Sequence, residues 1–129
     1  MNLKMHNELL VDIWNKVKSI RTEGQKEYAH DKDNVFANFQ RIAMLQELDK
    51  KQILMTYLLK HIDGIMSFIK GHKSQREDVR GRIVDVIVYL TLLWGMVDEE
   101  EDLYRNGYLK PVRKKDERQT DFKIGDRIH

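Results

Sequence analysis

Residues Glu77 to Glu101 read EDVRGRIVDVIVYLTLLWGMVDEEE, and the fold turns on this stretch. It is mostly apolar, closes on the acids Asp98 to Glu101 followed by Asp102, and carries one charge, Asp85, in its middle. Val79, Ile83, Val86, Ile87, Leu90, Leu93, Trp94 and Val97 recur at three- and four-residue steps, which is helical spacing. Val84, Val88, Leu92 and Met96 fill a second face. A helix apolar nearly all round is buried on most sides, in a domain core or between subunits. It is too short and too flanked by charge to read as a membrane span.

The chain upstream supplies helices to pack on it. Residues 4 to 28 form the first, with a stripe of Leu9, Leu10, Ile13, Trp14, Val17 and Ile20. Gly24 weakens its last turns by about 1 kcal/mol relative to alanine, so a fray or bend is expected there. The segment KEYAHDKDNVFANF (residues 26 to 39) has a polar break at His30, Asp31, Lys32, Asp33 and Asn34. Asp33 or Asn34 can cap a second helix whose apolar face is Phe36, Phe39, Ile42, Ala43 and Leu45. Asp49 is a good cap for a third helix over residues 50 to 70, with an apolar face built from Ile53, Leu54, Tyr57, Leu58, Ile62, Ile65, Phe68 and Ile69. Gly71 stops it. Ser74 and Glu77 make a capping-box pattern before the fourth.

Four helices with short connectors predict an all-α, four-helix antiparallel bundle over residues 1–107. Residues 108–129 hold seven Lys/Arg against four Asp/Glu and the only proline, and read as a basic C-terminal tail. At 129 residues there is room for one core. So apolar a fourth helix predicts a homodimer or homotetramer that hides it. A net charge of +2, with the signs interspersed, does not argue for nucleic acid. The absence of cysteine rules out disulfides and thiolate zinc sites. With no signal-peptide pattern and no membrane span, a cytoplasmic location is expected. No Gly-rich phosphate loop or nucleophile setting appears, and the catalytic residues are unknown from sequence.

Three groups carry candidate chemistry. The polar break contributes Tyr28, His30, Asp33, Asn34 and Asn38, with Asp31 beside them. The third helix contributes Lys60 and His61. The fourth contributes Asp85, with Tyr89 one turn later. Each has a plain structural reading: caps for the break, a helix rim for Lys60 and His61. A carboxylate among Ile83, Val84, Val86, Ile87 and Val88 is costly without a partner. Asp85 therefore forms an ion pair with Lys60, Arg80 or Arg82, or serves as a metal or ligand carboxylate inside the bundle.

The ordered set K-E-Y-A-x-D-x-D-N-x-F-x-N-F (Lys26 to Phe39), K-H (Lys60, His61) and R-I-x-D-x-x-x-Y-L-x-L-L (Arg82 to Leu93) resembles small, mostly phage-encoded helical proteins. These are similar to the all-α NTP pyrophosphohydrolases (the MazG and dimeric dUTPase superfamily) and to the nucleotide-modification-associated domains. The resemblance spans roughly residues 21 to 100. It implies a MazG-like bundle in a bacterial host cell, a nucleotide as ligand, and Mg²⁺ held by acids on two helices while water attacks the α-phosphorus. A triphosphate needs hard oxygen ligands on Mg²⁺ to neutralise it.

Here the pattern is broken. Asp85 matches the last acid, but the position four earlier is Gly81 and three earlier is Arg82. Glu77 stands two turns back, too far to share one ion with Asp85 easily. With Glu77 and Asp85 as the candidate metal ligands, the Mg²⁺ site looks depleted. The resemblance thus implies a nucleotide-binding protein of the pyrophosphohydrolase type, with Mg²⁺-dependent cleavage of a (d)NTP open. One alternative is a non-catalytic phage protein that sequesters a nucleotide signal of host defence; another is a protein-interaction module.

Overall fold

The computed structural model describes residues 1–29, 33–72 and 78–107. They form α1 (Leu3–Gly24), a π-helical turn (Gln25–Ala29), α2 (Ala37–Gln46), α3 (Lys50–Ile69) and α4 (Val79–Arg105). The all-helical, four-helix expectation holds. No helix among the described residues is long and apolar enough to cross a membrane. Ser74, Glu77 and the tail at 108–129 lie outside the described residues.

The chain divides into two compact units, one from Met1 to Met96 and the other from Val97 onward. The described part of the second is the end of α4, where Arg105 reaches Glu101 at 3.8 Å and Asp102 at 3.7 Å. Such exposed pairs contribute at most about 1 kcal/mol.

Local chemistry sets the helix ends. The Asn2 side chain accepts from the Met5 N–H at 2.9 Å and starts α1. The α-helical pattern stops at Gly24 and widens into the π turn, where the weak helix former was expected to yield. Asp49 opens α3 with a capping box: its Oδ1 accepts from the Lys51 N–H at 2.8 Å, and its own N–H donates to Gln52 Oε1 at 3.0 Å. Gly71 closes α3 with φ of 95°, a conformation costly for a side chain with a Cβ. At the other connector, Asp78 Oδ1 accepts from the Arg80 N–H at 2.8 Å as α4 begins.

The core of the first unit draws Val17 from α1, Phe39 and Ala43 from α2, Ile53 and Leu54 from α3, and Val84, Val88, Leu92 and Met96 from α4, with Phe36 from the loop before α2. Leu54 and Met96 are fully buried. On α4 the burial falls on the second, narrower face. Of the longer stripe, Ile83, Leu90, Trp94 and Val97 remain exposed. Periodicity marks both faces as apolar, and only the shape of the neighbours decides which one is covered. The α1 stripe is likewise covered only in part: Val17 is buried and Ile13 packs on the core, while Leu9, Leu10, Trp14 and Ile20 are exposed. On α2, Leu45 is 82% exposed.

Candidate functional site

The side chains of α3 and α4 meet residue by residue. The Tyr57 and Tyr89 rings stack at 6.3 Å and 10°. His61 Nδ1 lies 3.5 Å from Asp85 Oδ2. A Cβ built on Gly64 would come 2.6 Å from the Arg82 guanidinium. Rising numbers on α3 thus meet falling numbers on α4. From α2, Phe39 sets its ring edge-on to both tyrosines, at 6.2 Å from each. His61 also leans against Tyr89, with centroids 5.7 Å apart. Such offset and edge-on arrangements each add about 0.5–1.5 kcal/mol beyond burial.

Within this ring cluster sit the two polar groups, His61 and Asp85, whose side chains are 16% and 26% exposed. They face each other at 3.5 Å, and His61 Nδ1 is buried and makes no hydrogen bond. An unbonded buried nitrogen costs about 1–3 kcal/mol unless something else satisfies it. Asp85 thus has a histidine beside it, a neighbour not among the expected Lys60, Arg80 and Arg82. Arg80 pairs instead with its neighbour Asp78, at 3.2 Å. Lys60 is exposed. Residues 60 and 61 point about 100° apart around a helix, so both cannot face α4.

The polar break is organised differently. Asn34 Oδ1 accepts from the Phe36 N–H at 3.0 Å, and its Nδ2 donates to Gln40 Oε1 at 2.7 Å. Gln25 Nε2 donates to the Asn34 carbonyl at 3.0 Å, and Arg21 reaches both Gln25 Oε1 and the Val35 carbonyl. Burial holds the Arg21 pKa below its ordinary value, but a guanidinium stays charged at neutral pH. Asn34 is thus committed to fastening its own loop between the π turn and α2. The side-chain cap expected of Asp33 or Asn34 does not form: the N-cap of α2 is Phe36, two residues after Asn34, with no side-chain cap hydrogen bond. Asp33 is exposed and Asn38 is half-buried on α2. His30, Asp31 and the side chain of Tyr28 lie outside the described residues.

For Mg²⁺ the described residues offer a poor fit. No three His, Asp or Glu side chains among them lie together as metal ligands. One carboxylate beside one imidazole is not the oxygen-rich shell that Mg²⁺ takes. Glu77, the other candidate ligand, is outside the described residues. Phe39 and Tyr57 join His61, Asp85 and Tyr89 in the cluster without having been candidates. In comparisons with family models, curated proteins and solved structures, nothing matches this chain.

Proposed function

We propose that this chain binds a nucleotide at the Phe39, Tyr57, His61, Asp85 and Tyr89 cluster, without cutting it. The observation that carries this reading is the buried His61 Nδ1, unbonded and set against a carboxylate beside stacked tyrosine rings. A purine or pyrimidine fits such a setting. Its flat face stacks on aromatic side chains, worth about 1–3 kcal/mol per base. Its edge N–H groups donate to Asp85, and its ring nitrogens or carbonyls meet the imidazole. Exposed Lys60 supplies a cation for the phosphate from the next position on α3.

The same reading takes the helices as an antiparallel bundle of the MazG type, and the meeting of 57, 61 and 64 with 89, 85 and 82 supports it. It also takes the protein as cytoplasmic, sequestering its nucleotide intact. Cleavage of a (d)NTP is the weaker reading, because one carboxylate beside one imidazole is not the oxygen-rich shell that Mg²⁺ takes.

The test is thermal denaturation of the full chain against mono-, di-, tri- and cyclic nucleotides, with and without Mg²⁺. A ligand at 100 times its Kd stabilises the folded state by about 2.7 kcal/mol. The expected outcome is a metal-independent upward shift, lost in His61→Ala, with the nucleotide recovered unchanged. Pyrophosphate release that requires Mg²⁺ would restore the enzymatic reading. No shift from any nucleotide overturns the proposal.

A further inference from the structure

The outer face of α4 shows a second pattern. Ile83, Ile87, Leu90, Trp94 and Val97 follow one another at steps of four, three, four and three along one unbroken helix. This is the a/d spacing of a coiled-coil seam. Apart from Ile87, which packs against the core, it lies off the face that fills the core. Leu90 is 48% and Trp94 51% exposed; Ile83 and Val97 are also exposed, and Ile87 is half-buried. An apolar line at heptad spacing left open to water marks an interface.

Charge indicates what covers it. Arg80 stands near the start of α4, and Asp98 to Asp102 stand near its end. A second α4 laid alongside in the same direction would set the two acidic runs against each other. Laid in the opposite direction, about Leu90, it brings Arg80 of each copy opposite Glu100 of the other and Ile83 opposite Val97. That arrangement is two-fold, self-complementary and closed. The bridge from Arg80 to Asp78 lies on the surface, where such pairs hold little, so the guanidinium can be re-paired.

The outer face of α3 carries the same spacing in Met55, Leu59, Ile62, Met66 and Ile69. Lys50 and Lys51 stand at one end of that helix and Lys70 at the other. Two copies joined there set lysines against lysines in either direction. The charge pattern therefore selects α4.

We infer that a second copy of this chain packs on the outer face of α4, the two helices running in opposite directions about Leu90. This rests on α4 alone and stands or falls independently of the nucleotide site. The full chain should sediment at twice its monomer mass, with the dimer weakening as salt rises. Leu90→Glu should give a monomer that keeps its helical circular dichroism, while Leu59→Glu leaves the dimer intact. The chain has no cysteine, so introduced thiols report orientation directly. Leu90→Cys should cross-link two copies on oxidation, and Ile83→Cys should do so only when Val97→Cys is also present. A monomer at all concentrations overturns the proposal. So does a dimer that survives Leu90→Glu or dissolves with Leu59→Glu. Cross-linking by Ile83→Cys alone overturns the opposed orientation.

Discussion

His61 on α3 and Asp85 on α4 face each other at 3.5 Å, Nδ1 to Oδ2, and the imidazole nitrogen is buried without a hydrogen bond. The two polar side chains share an otherwise apolar seam. Removing one partner takes this contact from the other, whereas replacing both by apolar groups removes both polar groups from the seam. His61→Leu and Asp85→Leu should each destabilise the fold by about 1–3 kcal/mol. The double variant should recover most of that loss while failing to bind nucleotide. Urea unfolding of the four proteins measures the coupling. Strictly additive losses would show that the two side chains share no interaction.

Burial on α3 predicts a sharp contrast between neighbouring leucines. Leu54 is 0% exposed and lies in the core cluster, while Leu59 on the outer face is exposed. Leu54→Ala should cost about 2–5 kcal/mol through lost burial and the cavity left behind. Leu59→Ala should stay within about 0.5 kcal/mol. Equal losses in chemical denaturation would mean that Leu59 is covered in solution.

Much of this architecture is legible in the residues, and the limits have physical causes. Asp49 and Gly71 mark the ends of α3 because capping and a positive φ are local demands. The faces of α4 are not decided locally: two apolar stripes compete, and packing selects Val84, Val88, Leu92 and Met96 over the longer one. The site shows the same division. His61, Asp85 and Tyr89 stand out as polar or amphipathic groups on apolar helices. Their meeting depends on the direction and register of α3 against α4. One signal was present: Tyr57, His61 and Gly64 on α3, and Tyr89, Asp85 and Arg82 on α4, step at matching helical intervals when the second set is read backwards. Phe39 has no such mark, because an aromatic residue on an amphipathic helix reads first as core.

Two helix-interior glycines should respond oppositely to alanine. At both, alanine gains about 1 kcal/mol of helix propensity. At Gly64 the new Cβ would lie 2.6 Å from the Arg82 guanidinium, the far end of a flexible side chain that can swing aside. At Gly95 it would lie 3.1 Å from Cζ of Phe36, a ring 5% exposed and wedged in the core. Overpacking there costs about 1–3 kcal/mol. Gly64→Ala should therefore be neutral or stabilising, and Gly95→Ala destabilising by up to about 2 kcal/mol. Thermal melts of both decide it; a higher midpoint for Gly95→Ala would show that Phe36 yields.

The cap of α3 makes acid sensitivity predictable in sign. Burial pushes the Asp49 carboxyl up, but the Lys51 N–H, the Lys51 ammonium bonded to it at 3.3 Å and the charge of Lys50 together bring it below its ordinary value. A carboxyl whose folded pKa is depressed binds fewer protons folded than unfolded, so its stabilisation is complete above the unfolded value, near 4. That stabilisation is lost as pH falls through the lower folded value. Asp49→Ala should cost about 1 kcal/mol at pH 7, the usual loss of a helix cap. Asp49→Asn keeps an oxygen for the Lys51 N–H but carries no titrating charge. Its stability should therefore fall less steeply than wild type between about pH 5 and 3. Urea midpoints across that range test the claim, and parallel acid limbs for wild type and Asp49→Asn would show that this carboxylate does not set the acid stability of α3.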